Sequence, residues 1–256
     1  MKIVTYNVNG IRSAIRKGLL DWIEENDFDI ICLQEVKAHS GSVPLLLFEG
    51  LGYCSVWHSA RRKGYSGVAT FFRIPPSRFY QGLGIEKFDV EGRVLRTDFD
   101  ELTVLNCYFP NGKSGPERQK FKMQFLNDFQ QWIEYLLEER SQVIVVGDYN
   151  IAHREIDIAN PGRNENSSGF LPEERSWLDA WFAAGFVDAF RILHPETVSY
   201  TWWRATQFAR RTGQGWRLDY QSVSDAIAPA IVRVKHLTDV EHSDHCPVVM
   251  EIELSS

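Results

Sequence analysis

The chain has few of the features that mark secreted, zinc-binding or membrane-spanning proteins. Its 256 residues include four cysteines, Cys32, Cys54, Cys107 and Cys246. They are far apart and form no CxxC pair, which excludes the common zinc and dithiol motifs. Free, buried thiols in a reducing cytosol are expected instead. No apolar run approaches the roughly 18 residues needed to cross a bilayer. The N-terminal Met1 to Tyr6 reads as a strand, not as a charged-then-apolar leader. Positive charge is not in excess: 28 basic and 34 acidic residues give a formal charge of −6, which argues against a nonspecific nucleic-acid coat but permits a local basic face. There is no low-complexity linker, no internal repeat and no Ser or Cys nucleophile motif. A single domain over residues 1–256 is expected.

What is present is a succession of short apolar runs with helical patterns between them. Strands are expected at Ile3–Tyr6, Ile30–Leu33, Gly67–Phe72, Leu102–Tyr108, Val143–Val146, Tyr200–Trp203, Leu218–Val223 and after Pro247. Several are apolar throughout, as in strands covered on both faces. The clearest helix runs from Glu117 to Arg140, where Phe121, Phe125, Phe129, Trp132, Ile133 and Leu136 share one face. A second is expected over Ile11–Asn26, and a third begins at Pro172 with acids in its first turn. The alternation predicts an α/β architecture with helices outside and sheets inside.

Polar residues recur where strands end or begin. They are Asn7, Glu35, Tyr108, Asp148 with Asn150, Asp219, and Asp244-His245. Singly, each is an ordinary turn signal. Together they predict convergence on one cleft. Carboxylates, carboxamides, a phenol and an imidazole without a nucleophilic Ser or Cys suit metal-assisted attack of water on a phosphate ester.

Ten segments carry a more specific signal. They include Asn7-Val8-Asn9-Gly10, Leu33-Gln34-Glu35, Glu91-Gly92-Arg93, Tyr108-Phe109-Pro110-Asn111-Gly112, Gly147-Asp148-Tyr149-Asn150, Gly169-Phe170-Leu171-Pro172, Gly215-Trp216-Arg217-Leu218-Asp219 and Ser243-Asp244-His245. In this order and over nearly the whole chain, the sequence resembles the exodeoxyribonuclease III and apurinic/apyrimidinic endonuclease family. The resemblance implies a four-layer α/β sandwich, deoxyribonuclease I-like, with two packed mixed sheets flanked by helices. It implies hydrolysis of the DNA backbone 5′ to abasic sites, leaving a 3′-hydroxyl, with 3′-phosphatase and 3′-to-5′ exonuclease action. The implied cofactor is Mg²⁺, with Mn²⁺ as a substitute. The implied partner is double-stranded DNA bearing abasic sites or blocked 3′ ends, met by a monomer in the cytoplasm.

The resemblance also assigns roles. Glu35 is the principal metal ligand, with Asn7 and Asp244 close to the metal. Asp148 activates water, and Asn150 positions it. Tyr108 contacts the phosphate. His245, oriented by Asp219, lies beside the scissile phosphate as imidazolium or as base. Trp202 and Trp216 line the pocket for a base-free sugar, while Asn111, Asn164 and Arg217 contact DNA. Asn9 departs from relatives with Asp at that place, and Ser114 and Thr206 stand where some relatives carry side chains that wedge into DNA. His153 anchors the Asp148 loop. Some of the basic groups at Arg61-Arg62-Lys63, Lys113–Lys122 and Arg204–Arg217 are expected on DNA phosphate. Two rival readings accompany this one: a phosphoesterase for a small phosphate ester, and a catalytically silent DNA-binding module.

Overall fold

The computed structural model describes residues 1–204 and 207–254, without the side chains of residues 207 and 208. Its strands, in chain order, are β1 (Lys2–Asn7), β2 (Ile30–Gln34), β3 (Cys54–His58), β4 (Val68–Phe72), β5 (Arg78–Gln81), β6 (Val94–Phe99) and β7 (Leu102–Tyr108). They continue with β8 (Gln142–Asp148), β9 (Phe186–Asp188), β10 (Trp202–Trp203), β11 (Gly215–Trp216), β12 (Asp219–Ser224), β13 (Ile231–His236) and β14 (Val248–Ile252).

One six-stranded sheet has the order β13-β14-β1-β2-β4-β3 and the other β5-β6-β7-β8-β12-β9, with β10 and β11 paired separately. The pairs β1/β2 and β7/β8 are parallel and their flanking strands antiparallel. Both sheets are therefore mixed.

Alternation within the strands decides the layers. Ile3, Ile30, Cys32, Val104, Ile144, Val146, Val248 and Met250 face the space between the sheets and form one core. Their neighbours face outward. Val4, Tyr6, Ile31 and Leu33 meet Ile11, Leu19 and Ile23 on one side. Leu105, Cys107, Val143 and Val145 meet Phe125, Phe129, Ile133, Trp177 and Trp181 on the other. The result is a helix–sheet–sheet–helix sandwich.

The long helix spans Pro116–Glu139, with Pro116 in its first turn. Its buried face carries Phe125, Leu126, Phe129, Ile133 and Leu136, as the 3.6-residue spacing predicts. Each such side chain contributes about 1.5–3 kcal/mol by leaving water.

Two expectations need correction. The helix over Ile11–Asn26 is two helices, Ile11–Arg16 and Leu19–Asn26, because Gly18 between them takes φ 95°, where a right-handed helix cannot continue. Cys54 is exposed at the start of edge strand β3, while the other three thiols are buried as expected. Among the described residues, no helix is long and apolar enough to cross a membrane.

The interior also carries charge. Asp157 is fully buried and accepts from Arg217 Nε at 2.7 Å and Nη2 at 3.1 Å, and from Arg191 Nη2. Burial works against its charge, but the two guanidinium groups outweigh it and hold its pKa well below the carboxylate range. A depressed folded-state pKa stabilises the native state above the unfolded value of about 3.9, and that contribution fades as pH falls toward the lower folded value. Urea midpoints measured downward from about pH 5 should therefore fall faster in the parent protein than in Asp157→Asn. Parallel curves would refute the assignment.

Candidate active site

Strand polarity gathers the site. Parallel β1 and β2 end together at Asn7 and Gln34, and parallel β7 and β8 end together at Tyr108 and Asp148. Antiparallel β12 begins there, so Asp219 stands directly opposite Asp148. His245, just before β14, bridges to Trp202. Ends of both sheets thus meet along one rim. At Gly147 the strands approach so closely that a Cβ would lie 1.8 Å from the Cys107 carbonyl oxygen. Glycine is required there, immediately before Asp148.

The turns leaving these strands are strained. Asn9, Glu35, Lys37 and Asn150 have φ of 45°, 47°, 51° and 53°. That left-handed region is costly for residues with side chains and clusters at functional sites.

Asp148 is the hub. Its Oδ1 accepts from Asn150 N at 2.8 Å. Its Oδ2 accepts from Asn7 Nδ2 at 2.9 Å and Asn150 Nδ2 at 3.3 Å, and faces His245 Nε2 at 3.8 Å. Behind the imidazole, His245 Nδ1 lies 2.8 Å from Asp219 Oδ2, which also accepts from Thr201 Oγ1 at 2.5 Å. Asn150 is fixed in turn by Asn111, whose Nδ2 donates to its Oδ1 at 3.0 Å. Asn111 therefore supports the centre.

Burial raises the pKa of Asp148 to about 7, with Asp219 and Glu35 adding to the effect against His245. Burial alone would lower His245, but Asp219 and Asp148 outweigh it and lift the imidazole to about 10. That shift makes His245 an imidazolium at neutral pH, with Nδ1–H on Asp219 and the Nε2–H turned toward the rim. The separation of 3.8 Å between Nε2 and Asp148 is too long for a direct hydrogen bond. Glu35 is held below its ordinary value, because Lys37 at 2.9 Å and the Asn7 amide outweigh its burial. Tyr108, buried against Glu35, is pushed well upward by desolvation and stays a neutral phenol.

A hard cation fits this rim. Ligand atoms of Glu35, Asp148 and His245 lie within 4.8 Å of one another. Glu35 is partly open to solvent, as suits an ion that keeps water ligands. Protonated His245 is not itself a ligand, which leaves the carboxylates. Asn7, expected close to the metal, lies against this group. Asn7 turns its amide N–H groups to Glu35 and Asp148, while its oxygen accepts from Asn9 N. Glu35, held ionised, only accepts, so the network fixes this orientation. Asp244 lies outside the three-residue group, with Asn9 Nδ2 at 3.0 Å on one oxygen and Trp202 Nε1 at 3.1 Å on the other.

Beside the rim opens a cleft of about 710 Å³, lined by Lys113, Asn164, Arg204, Trp202 and Trp216 among others. The two indoles stand edge to face, 6.2 Å between centroids. Asn164 reaches the wall, with its amide donating to the carbonyls of Ala159 and Asn160. Trp203, the alternate residue, is buried on the opposite side of the strand.

Arg217, expected on DNA, is not at the surface. It is 0% exposed, donates to Asp157, and pairs with Asp188 at 2.7 Å. Lys122, expected on a basic face, is likewise buried, on Glu174 at 2.6 Å. His153 is tied to Asp179. Thr206 lies outside the described residues.

Sequence reasoning overlooked particular roles for Lys37, Arg93 and Lys113. Lys37 caps Glu35 two residues away and was legible from that spacing. Arg93 donates to the Tyr108 carbonyl at 2.9 Å and lies over its ring at 4.8 Å. Only its place in a matching motif marked it. Lys113 stands over both tryptophans and looked like one member of a basic run.

Residues 4–245 match the Endonuclease/Exonuclease/phosphatase family. An exodeoxyribonuclease of Bacillus subtilis (strain 168) is 40% identical over 258 residues, covering 99% of this chain and all of that protein. Among solved structures, an AP endonuclease from Archaeoglobus fulgidus superposes with a TM-score of 0.92 at 31% identity, over 99% of this chain and all of the other. A 3′ phosphatase from Neisseria, bound to a product DNA hairpin, gives 0.93 at 27% identity over the same shares.

Proposed function

The chain belongs to the endonuclease/exonuclease/phosphatase family, and within it we propose a Mg²⁺-dependent DNA-repair phosphodiesterase. It cuts the backbone 5′ to abasic sites, leaves a 3′-hydroxyl, and clears blocked 3′ ends by phosphatase and exonuclease action. The observation that carries this reading is Trp202. Its ring walls the cleft while its indole N–H holds Asp244 and its backbone pairs with His245. A base-free sugar seated against the two indoles would present its 5′ phosphate to His245.

The chemistry follows from the groups at the rim. Glu35, with Asp148 beside it, would hold the cation, which when bound offsets charge on the phosphate and the leaving oxygen. Asp148, with a pKa near neutrality, accepts a proton from the attacking water. The Asn150 and Asn7 amides keep that carboxylate aimed. His245 serves as imidazolium, donating from Nε2 to a phosphate oxygen as a stabiliser of its charge, a reading supported by the lift of its pKa by Asp219 and Asp148. Tyr108, neutral, donates to the same anionic centre. Asp219 keeps the imidazole oriented and charged. Such a protein works in the cytoplasm, as a monomer free of membrane.

Incubation with an abasic duplex should give a 5′-side nick in Mg²⁺ and none in excess chelator, with activity returning on Mg²⁺ addition. Intact duplex at saturating protein and Mg²⁺ would sink the endonuclease reading. Turnover of a soluble inositol phosphate in place of DNA would favour a small-ester phosphatase.

A further inference from the structure

Three lysines surround the site, and two are committed. Lys37 is bonded to Glu35 and Asn9, and Lys122 to Glu174 and the Asn150 carbonyl. The third, Lys113, has its Nζ 4.4 Å from the Trp202 ring centre and 5.4 Å from that of Trp216. Among the described residues, that nitrogen makes no hydrogen bond or ion pair. It is a primary amine standing over the two indoles that would receive the sugar.

Its place is fixed by the backbone. Lys113 N donates to Asn111 Oδ1 at 2.8 Å, and Asn111 donates to Asn150 beside Asp148. The main chain at Lys113 is thus tethered through two short links to the catalytic rim, and the side chain runs from there over the indoles. The residue as a whole is open to solvent, with its amino end drawn over the rings. Desolvation there, opposed by Asp148 and Asp244 and reinforced by Arg204, lowers its pKa. A larger free-amine fraction favours addition to carbonyls.

An abasic deoxyribose in its ring-opened form carries an aldehyde at C1′. We propose that Lys113 attacks this aldehyde, giving the protein a lyase activity alongside hydrolysis. The inference rests on the abasic-substrate reading above. The amine nitrogen bonds to C1′, the aldehyde oxygen leaves as water, and an imine remains. Loss of the C2′ proton to solvent then breaks the C3′–O bond. The phosphate departs with the electron pair as a 5′-phosphate end. Water hydrolyses the imine, restoring the amine and leaving an unsaturated aldehyde on the 3′ end. No oxidant or reductant is consumed. The product is itself a blocked 3′ end, the class of substrate assigned to the hydrolytic site.

The test uses the full chain, an abasic duplex, excess chelator and cyanoborohydride, which reduces the imine to a stable amine. A covalent protein–DNA adduct is expected, mapping to Lys113 by peptide sequencing. Asp148→Asn should retain it, and Lys113→Arg, which keeps the charge but forms no stable imine, should lose it. Without reductant, the parent protein should nick the strand 3′ to the abasic residue. Absence of an adduct in protein that still cuts the 5′ side with Mg²⁺ overturns the lyase inference alone. So does an adduct that maps to other lysines and survives Lys113→Arg. Failure of both 5′ cleavage and adduct removes the abasic reading and this inference with it.

Discussion

Replacing Asp148 with Asn should lower turnover on an abasic duplex by at least about 10²-fold, the usual loss for a single acid–base or electrostatic group. Asn keeps the shape and the capacity to accept from Asn150 N, but it cannot take a proton from water. The substitution leaves the fold in place for a physical reason. Burial already opposes the charge of Asp148, so a neutral isostere relieves a cost. The thermal midpoint should stay near that of the parent, separating lost chemistry from lost structure. Unchanged turnover in a folded Asp148→Asn protein would remove the residue from the mechanism.

The second large effect is on stability. Lys122→Met should cost about 3–5 kcal/mol, the range for breaking a buried ion pair from one side. Both side chains are fully buried, and Nζ also donates to the Asn150 carbonyl at 2.8 Å. Glu174 would keep its bonds from Gly169 N, Leu171 N and Gln119, yet carry an uncompensated charge. The double variant Lys122→Met with Glu174→Gln should recover part of the loss. Urea midpoints at constant slope measure it. A change below about 1 kcal/mol, typical of exposed pairs, would show that the pair is not isolated from water.

The same pair shows where sequence reading stops. Its partners are 52 residues apart, and a lysine on a helix is ordinarily solvated. Arg217 misled for the same reason: it stands beside Trp216, but its counter-charges lie at Asp157 and Asp188. Strand β5 has all four residues exposed, so no alternation announced it. By contrast, the long helix and the apolar strands were legible because burial on one face, or on both, imposes a period. The site residues were legible because each ends or begins such a strand, and the parallel pairs bring those ends to one rim. The Lys113 amine above the indoles depends on a turn geometry that no local pattern encodes.

The left-handed turns at Asn9, Glu35, Lys37 and Asn150 have a consequence for anyone selecting heat-resistant variants. Glycine is the residue that occupies φ near +50° without penalty. A screen scoring survival alone would be drawn to glycine at these positions, since it removes about 1–2 kcal/mol of left-handed strain against roughly 0.5–1 kcal/mol of added chain entropy. It would thereby erase Glu35 and Asn150. Heat resistance and cutting must be scored together, because at these turns they are opposed by design of the backbone itself.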